Sequence, residues 1–219
     1  MSLIRPAWRP LWSLARQASM IVTVLLASAC SVLPRPDPVD TYLLPSAPVS
    51  VKVAADGARL PVSLRVLRPS SGQHLAGQRI VVVPQDNLVS VYKGVSWSEP
   101  APLLVRDRLL DALRGDGRIA ALSNDETRVQ ADFEIASDLR AFQSEYRNGV
   151  PEVVIRLDAR LVQRDERRIV ASRLFEIRES APGKEVPQVV TAFGAASTRL
   201  AGEVSEWAVD EIGRVRRSN

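Results

Sequence analysis

Two periodicities divide the chain. Between Ala131 and Ala181 apolar residues recur at every second position, the spacing of strands with one covered face. Phe133, Ile135, Ser137, Leu139 and Ala141 share one side of a first strand. Val153, Ile155, Leu157, Ala159 and Leu161 share the covered side of a second, with Arg156, Asp158 and Arg160 opposite them. A third, from Ile169 to Arg178, puts Ile169, Ala171, Phe175 and Ile177 in phase. Asn148-Gly149 joins the first two, because a two-residue hairpin turn needs positive φ at both positions and these residues tolerate it. Arg164 to Arg168 is the polar turn before the third. From Pro187 the apolar spacing lengthens to three and four. Val189, Val190, Phe193, Ala196, Leu200, Val204, Trp207, Ala208 and Ile212 then fall on one helical stripe, with Phe193 and Trp207 as core residues. Arg214, Arg216 and Arg217 close that helix with the charge its C-terminus favours. It supplies the apolar cover that a three-stranded meander with one wet face requires.

The segments before the meander are shorter. Tyr42-Leu43-Leu44 predicts a first strand stopped by Pro45, and Ser46 to Arg59 a loop around Asp56-Gly57. Val62 to Leu67 alternates and ends before Pro69. The β-branched run Arg79 to Val83 predicts a central strand covered on both faces, ended by Pro84, and Asn87 to Tyr92 a further short strand. A helix follows Ser98 or Glu99, with Pro100 and Pro102 in a first turn where a missing N–H is harmless. Leu103, Leu104, Leu109, Leu110 and Leu113 form its apolar stripe; Arg106, Asp107, Arg108, Asp111 and Arg114 are expected to face water. Gly115 and Gly117 end the helix, and Ile119 to Leu122 forms a short strand. The fold class expected is α+β: an antiparallel-rich β-sheet with two amphipathic helices packed on one face, a single domain over residues 42–217.

Ahead of that domain the pattern is of a different kind. Arg5, Arg9 and Arg16, with no acidic residue, precede the apolar run that begins at Met20 and ends in Ala27-Ser28-Ala29-Cys30. This is the order of a secretory signal over residues 1–29, and its apolar part is shorter than the roughly 20 residues a membrane-spanning helix needs. Cys30 is the only cysteine. Two processing outcomes fit. An ordinary Ala-x-Ala cut leaves Cys30 as a free thiol, whereas a lipoprotein-type cut makes it the lipidated N-terminal residue. Lipidation gives an otherwise unpaired exported cysteine a role. One acyl chain holds a protein marginally and two or more hold it stably. Residues 30–41, with Pro34, Pro36 and Pro38, read as a semi-rigid tether.

Charge narrows the partners. The chain carries 29 basic against 25 acidic residues, but losing Arg5, Arg9 and Arg16 with a leader leaves 26 against 25, interspersed along the sequence. That gives no case for nucleic acid. The search for chemistry is equally bare. His74, the only histidine, sits in a polar loop with no cysteine or carboxylate cluster at ligand spacing, so no metal or other cofactor is expected beyond the covalent lipid on Cys30. Asp165-Glu166, flanked by arginines, reads as a hairpin tip. No nucleophile-elbow, phosphate-loop or dinucleotide motif is present, so the chain is read as no enzyme, with a carboxylate-only hydrolase as the remaining enzymatic option. Three aromatics are candidate partner-binding anchors: Tyr92 and Trp97 beside glycine, and Tyr146 next to the Asn148-Gly149 turn. For Trp97 the alternative is packing over the start of its own helix.

Cys30, Tyr42-Leu43-Leu44, Val83-Pro84 and Trp97-Ser98-Glu99-Pro100 just before an amphipathic helix resemble the ABC-type transport auxiliary lipoprotein family, which includes the paraquat-inducible protein C type. The resemblance runs over most of Tyr42 to Ile212. It implies a non-catalytic periplasmic lipoprotein serving an MCE-type ABC system, with an MCE-domain protein and an ABC permease and ATPase as partners and phospholipid or related apolar cargo. Ser31 after the cysteine implies the outer membrane, periplasmic face; a ring around a conduit would suit a homo-oligomer. The competing expectation is an outer-membrane assembly lipoprotein that docks a β-barrel.

Overall fold

The computed structural model describes residues 38–46, 59–127 and 129–218. The leader, Cys30, most of the tether and most of the Ser46–Arg59 loop lie outside the described residues. The chain runs β1 (Asp40–Tyr42), β2 (Leu60–Val66), β3 (Ser70–Ser71), β4 (Arg79–Gln85), β5 (Leu88–Trp97) and α1 (Ala101–Asp116). It continues through β6 (Ile119–Asn124), β7 (Phe133–Arg147), β8 (Val150–Gln163), β9 (Arg168–Ser180) and α2 (Val186–Ser218).

β7 is the strand on which the others are assembled. One edge carries the antiparallel meander β7–β8–β9, paired almost end to end. The other edge accepts three short strands in succession, all parallel: β2 at Phe133–Ile135, β3 at Asp138–Leu139 and β4 at Gln143–Glu145. β6 lies parallel outside β2, while β5 hairpins back on β4 and carries β1 in parallel on its outer side. The sheet is therefore mixed rather than purely antiparallel-rich. The long ladders are antiparallel, as the alternating pattern requires, but the β2, β3 and β4 pairings join segments far apart in sequence that leave no local signal.

The first turn of the meander obeys local chemistry, while the second sets an arginine in a left-handed conformation that is uncommon for it. Asn148 and Gly149 take φ of 52° and 74°, and Arg167 takes 51° in the second turn. Two bulges change which residues face inward. Leu139 pairs with Leu157 but Ala141 pairs with Arg156, so Arg140 is extra. Beyond it Phe142 and Ser144 point into the core beside Ile155 and Val153, and Ala141, expected inside, turns to the opposite face. On β9 the extra residue is Val170. Ile169 then pairs with Val162 and is exposed, correcting its expected inward phase.

The helices close one face. α2 packs on β8 and β9 with the predicted stripe, Val189 through Ile212, fully buried, and α1 packs against α2 and the β2–β6 wing. Pro100 is the N-cap of α1, with no side-chain capping bond from Ser98 or Glu99, and Gly117 closes it at φ 74°, its N–H donating to the Leu113 carbonyl. The buried stripe of α1 is Val105, Leu109, Leu110 and Leu113; Leu103 and Leu104 are only partly covered. Arg106 and Arg108, expected in water, are buried. Arg106 lies among Asp107, Asp125 and Glu126 at 2.8, 3.0 and 2.7 Å. Burial pulls its pKa down, but the three carboxylates outweigh that and the pKa rises.

Candidate functional site

One end of the sheet gathers the Asn148-Gly149 turn and two of the three candidate aromatics, Tyr92 and Tyr146. β4 and β7 run in the same direction, so the Asp86-Asn87 tip of the β4–β5 hairpin and the Asn148-Gly149 turn project from the same end. β9 also finishes there, and the connection into α2 follows, with the Ala181 N–H donating to the Pro151 carbonyl. Around these tips Leu88 is 50% exposed, Val89 51%, Val150 47% and Tyr146 37%. An open depression of about 500 Å³ between Val83, Asn87, Val89, Glu145 and Tyr146 separates the two hairpins.

Tyr92 is placed just inside this end. The β4–β5 ladder breaks opposite residues 92–95, where Gly94 takes φ 69°. From that irregular stretch the Tyr92 hydroxyl donates to Ser144 Oγ at 3.2 Å, and Ser144 is wholly buried. Burial pushes the Tyr92 phenol up to about 12; Tyr146 beside it adds to the rise and the Ser144 hydroxyl opposes it. Tyr92 is thus a neutral, half-buried prop for the hairpin end, and Tyr146 is the exposed ring of the pair.

Trp97 is not part of this surface. It is 1% exposed, its ring edge-on to Phe193 at 5.2 Å and to Phe142 at 6.0 Å, with Phe142 and Phe193 at 4.8 Å from each other. An anchor for a partner must be reachable, and this indole is sealed between β7 and α2. Phe193 and Trp207 are core residues, as their stripe predicted. Glu166 stays at the β8–β9 turn, paired with Arg168 at 3.0 Å, and His74 is exposed. Among the described residues no group of three or more His, Cys, Asp or Glu side chains is placed to hold a metal ion.

The outer face of the meander is an ionic lattice. Arg178 reaches Glu176 at 2.8 Å, Glu152 at 2.9 Å and Glu145 at 3.5 Å; Arg156 meets Glu176 at 2.9 Å and Arg160 meets Asp138 at 2.6 Å. The Ser70 hydroxyl, which donates to Asp138, and then Arg160 hold that carboxyl below its usual value; Arg156 and then Arg178 do the same for Glu176.

A second arrangement fixes the point where the N-terminal segment joins the domain. After β1, Leu44 and Pro45 cross the helices, and Arg108, 8% exposed, donates to the Leu44 carbonyl at 3.2 Å and to that of Pro45 at 2.7 Å. Burial lowers the Arg108 pKa. Pro45 lies so close to α2 that a Cβ on Gly194 would meet the proline Cβ and carbonyl oxygen at 2.8 Å. The periodicity of α1 put Arg108 on the wet face, and nothing in the local sequence signals a strap arriving from 60 residues away.

A family model described as "ABC-type transport auxiliary lipoprotein component" matches residues 42–205, three quarters of the chain. The chain belongs to that family. An uncharacterized protein of Bradyrhizobium diazoefficiens is 31% identical over 150 residues, 68% of this chain; the matched stretch spans only 40% of that relative's length. A crystal structure from Xanthomonas campestris, of the family designated DUF330, superposes with TM-score 0.74 at 26% identity, over 81% of this chain and 98% of that one. A second solved structure, of an uncharacterized protein, shares the fold at TM-score 0.60 and 15% identity, over 77% and 97% of the two chains. The matched range of the auxiliary lipoprotein family begins at Tyr42, at the end of β1, and stops within α2, so it takes in the strap, the aromatic cluster and the apolar hairpin end together.

Proposed function

We propose that this auxiliary lipoprotein is a non-catalytic, lipid-anchored part of an MCE-type ABC system, holding the periplasmic domain at the outer membrane where apolar cargo passes between the two membranes. The observation that carries the reading is the family match from β1 into α2. The leader pattern ending at Cys30 agrees with it, since it supplies the acyl anchor that a lipoprotein component requires. In this role the domain binds a partner and performs no reaction. The MCE-domain protein is that partner, with the permease and ATPase reached through it. Several copies around one conduit complete the arrangement.

Cys30→Ala tests the anchor. The variant is expected to leave the membrane fraction while its thermal unfolding stays that of the parent chain. Recovery of C30A still in the membrane fraction would contradict the reading. Affinity capture of the lipidated parent chain from solubilised envelopes is expected to bring down an MCE-domain protein; a β-barrel in its place would favour an assembly lipoprotein instead.

A further inference from the structure

We infer that the hairpin end of the domain rests on the lipid surface in which the N-terminus is anchored, with Leu88, Val89, Tyr146 and Val150 dipping into the headgroup region. The inference rests on the Cys30 anchor of the proposed function and adds the orientation of the domain. β1 runs parallel to β5, with Asp40 opposite Val95 and Tyr42 opposite Trp97, so the N-terminal end of β1 faces the start of β5, where Leu88 lies. The span from Asp40 to the tips is that of β4 from Arg79 to Gln85, about 20 Å at a strand's rise per residue. Cys30 to Asp40 is ten residues, which reach at most roughly 36 Å when fully extended. A tether leaving in this direction therefore brings the hairpin end down to its own bilayer with length to spare. To bring the other end down it would have to reverse along the sheet.

The two ends differ in chemistry in the matching sense. At the hairpin end three exposed aliphatic side chains and one tyrosine stand on adjacent tips, a composition suited to shallow burial of roughly 5–10 Å at the acyl boundary. The far end carries the β8–β9 turn, with Arg164, Asp165, Glu166 and Arg167, and the C-terminal turn of α2, with Arg216 and Arg217. That end also exposes Ile169 beside the turn, but as a single side chain next to Arg168, whereas Leu88, Val89, Tyr146 and Val150 share two adjacent tips. Contact with lipid also gives a use to Tyr146, whose ring is exposed while Tyr92 behind it is held neutral and half-buried.

The test uses the lipidated full-length chain in vesicles of phosphatidylethanolamine and phosphatidylglycerol, with and without brominated acyl chains. Leu88→Trp places a reporter at the tips, and Leu174→Trp places one at an exposed apolar position on β9, remote from them; Trp97 and Trp207, both buried, are common to each. The expected result is quenching of L88W on the order of twofold at interfacial depth and none of L174W. V150W repeats the measurement should L88W not fold. Vesicle-bound protein with no quenching at 88 or 150 would overturn the orientation and leave the anchor standing. An L88W emission shift that follows protein concentration, or added MCE-domain protein, without bromine quenching would make the occupant a second copy or the transport partner and also overturn it. Failure to float with vesicles would remove the anchor itself, and the orientation with it.

Discussion

Trp97→Ala distinguishes a core residue from a docking residue. Trp97 is the largest of the fully buried side chains and meets Phe193 and Phe142 edge-on across the β7–α2 interface. Truncating a buried Trp to Ala costs about 3–5 kcal/mol through lost transfer energy and the cavity left behind. For a domain of this size 1 kcal/mol moves Tm by roughly 2–4 °C, so the midpoint should fall by about 6–20 °C. Trp97→Phe should behave differently. The indole Nε1 has no hydrogen-bond partner, and an unpaired buried donor costs about 1–3 kcal/mol, which phenylalanine removes. That gain offsets most of the volume lost, leaving W97F within about 1 kcal/mol of the parent. Thermal unfolding of the mature chain, followed by far-UV circular dichroism, reads W97A and W97F against the parent. A W97A midpoint equal to the parent's, with only partner capture impaired, would refute the assignment of this ring to the core.

The strap offers a second test. Gly194→Ala adds a better helix former, worth about 1 kcal/mol, yet its Cβ would stand 2.8 Å from the ring and carbonyl of Pro45, and such overpacking costs about 1–3 kcal/mol. Backbone and ring cannot rotate aside, so G194A is expected to destabilise, and Arg108→Ala should cost less in the G194A background than alone because both act on one strap. Additive losses measured by urea unfolding would disprove the coupling. Asp138 and Glu176, with folded pKa values below the ordinary 3.8 and 4.5, stabilise the fold above those values and lose that contribution as pH falls through the lowered ones. Urea midpoints should hold from neutral pH to about 5 and decline below about 4.5, modestly since both groups are partly in solvent; Ser70→Ala should make the decline shallower, and an unchanged slope would count against the Ser70 contribution.

What the sequence reveals and what it conceals divide along physical lines. The β7–β8–β9 meander and the α2 stripe are local patterns reinforced by turn chemistry at Asn148-Gly149, so alternation and spacing were enough. The bulges at Arg140 and Val170 are one-residue events that reverse the phase of everything beyond them, and simple alternation carried Ala141 and Ile169 to the wrong face. β5 runs to Trp97 rather than stopping at Tyr92 because β1 pairs along its far half, a partner absent from the local pattern. Helical periodicity registers polarity alone and so puts Arg106 and Arg108 in water; apart from Asp107 on the helix itself, their carboxylate and carbonyl partners come from the loop after β6 and from the strap. Of the three aromatic anchors, proximity to glycine located the irregular stretch around Gly94, but only the packing separated Trp97 inside from Tyr146 outside.

The way β1 is seated also governs how the domain takes mechanical load. A pull directed along β1 strains its short ladder with β5 in shear, all bonds at once, instead of peeling it bond by bond. Behind the ladder the Arg108 clasp and the Pro45–Gly194 contact come under tension only after β1 has slipped. Force entering through the N-terminus of the domain therefore meets two barriers in series, the β1 ladder first and the grip of α1 and α2 on the strap second.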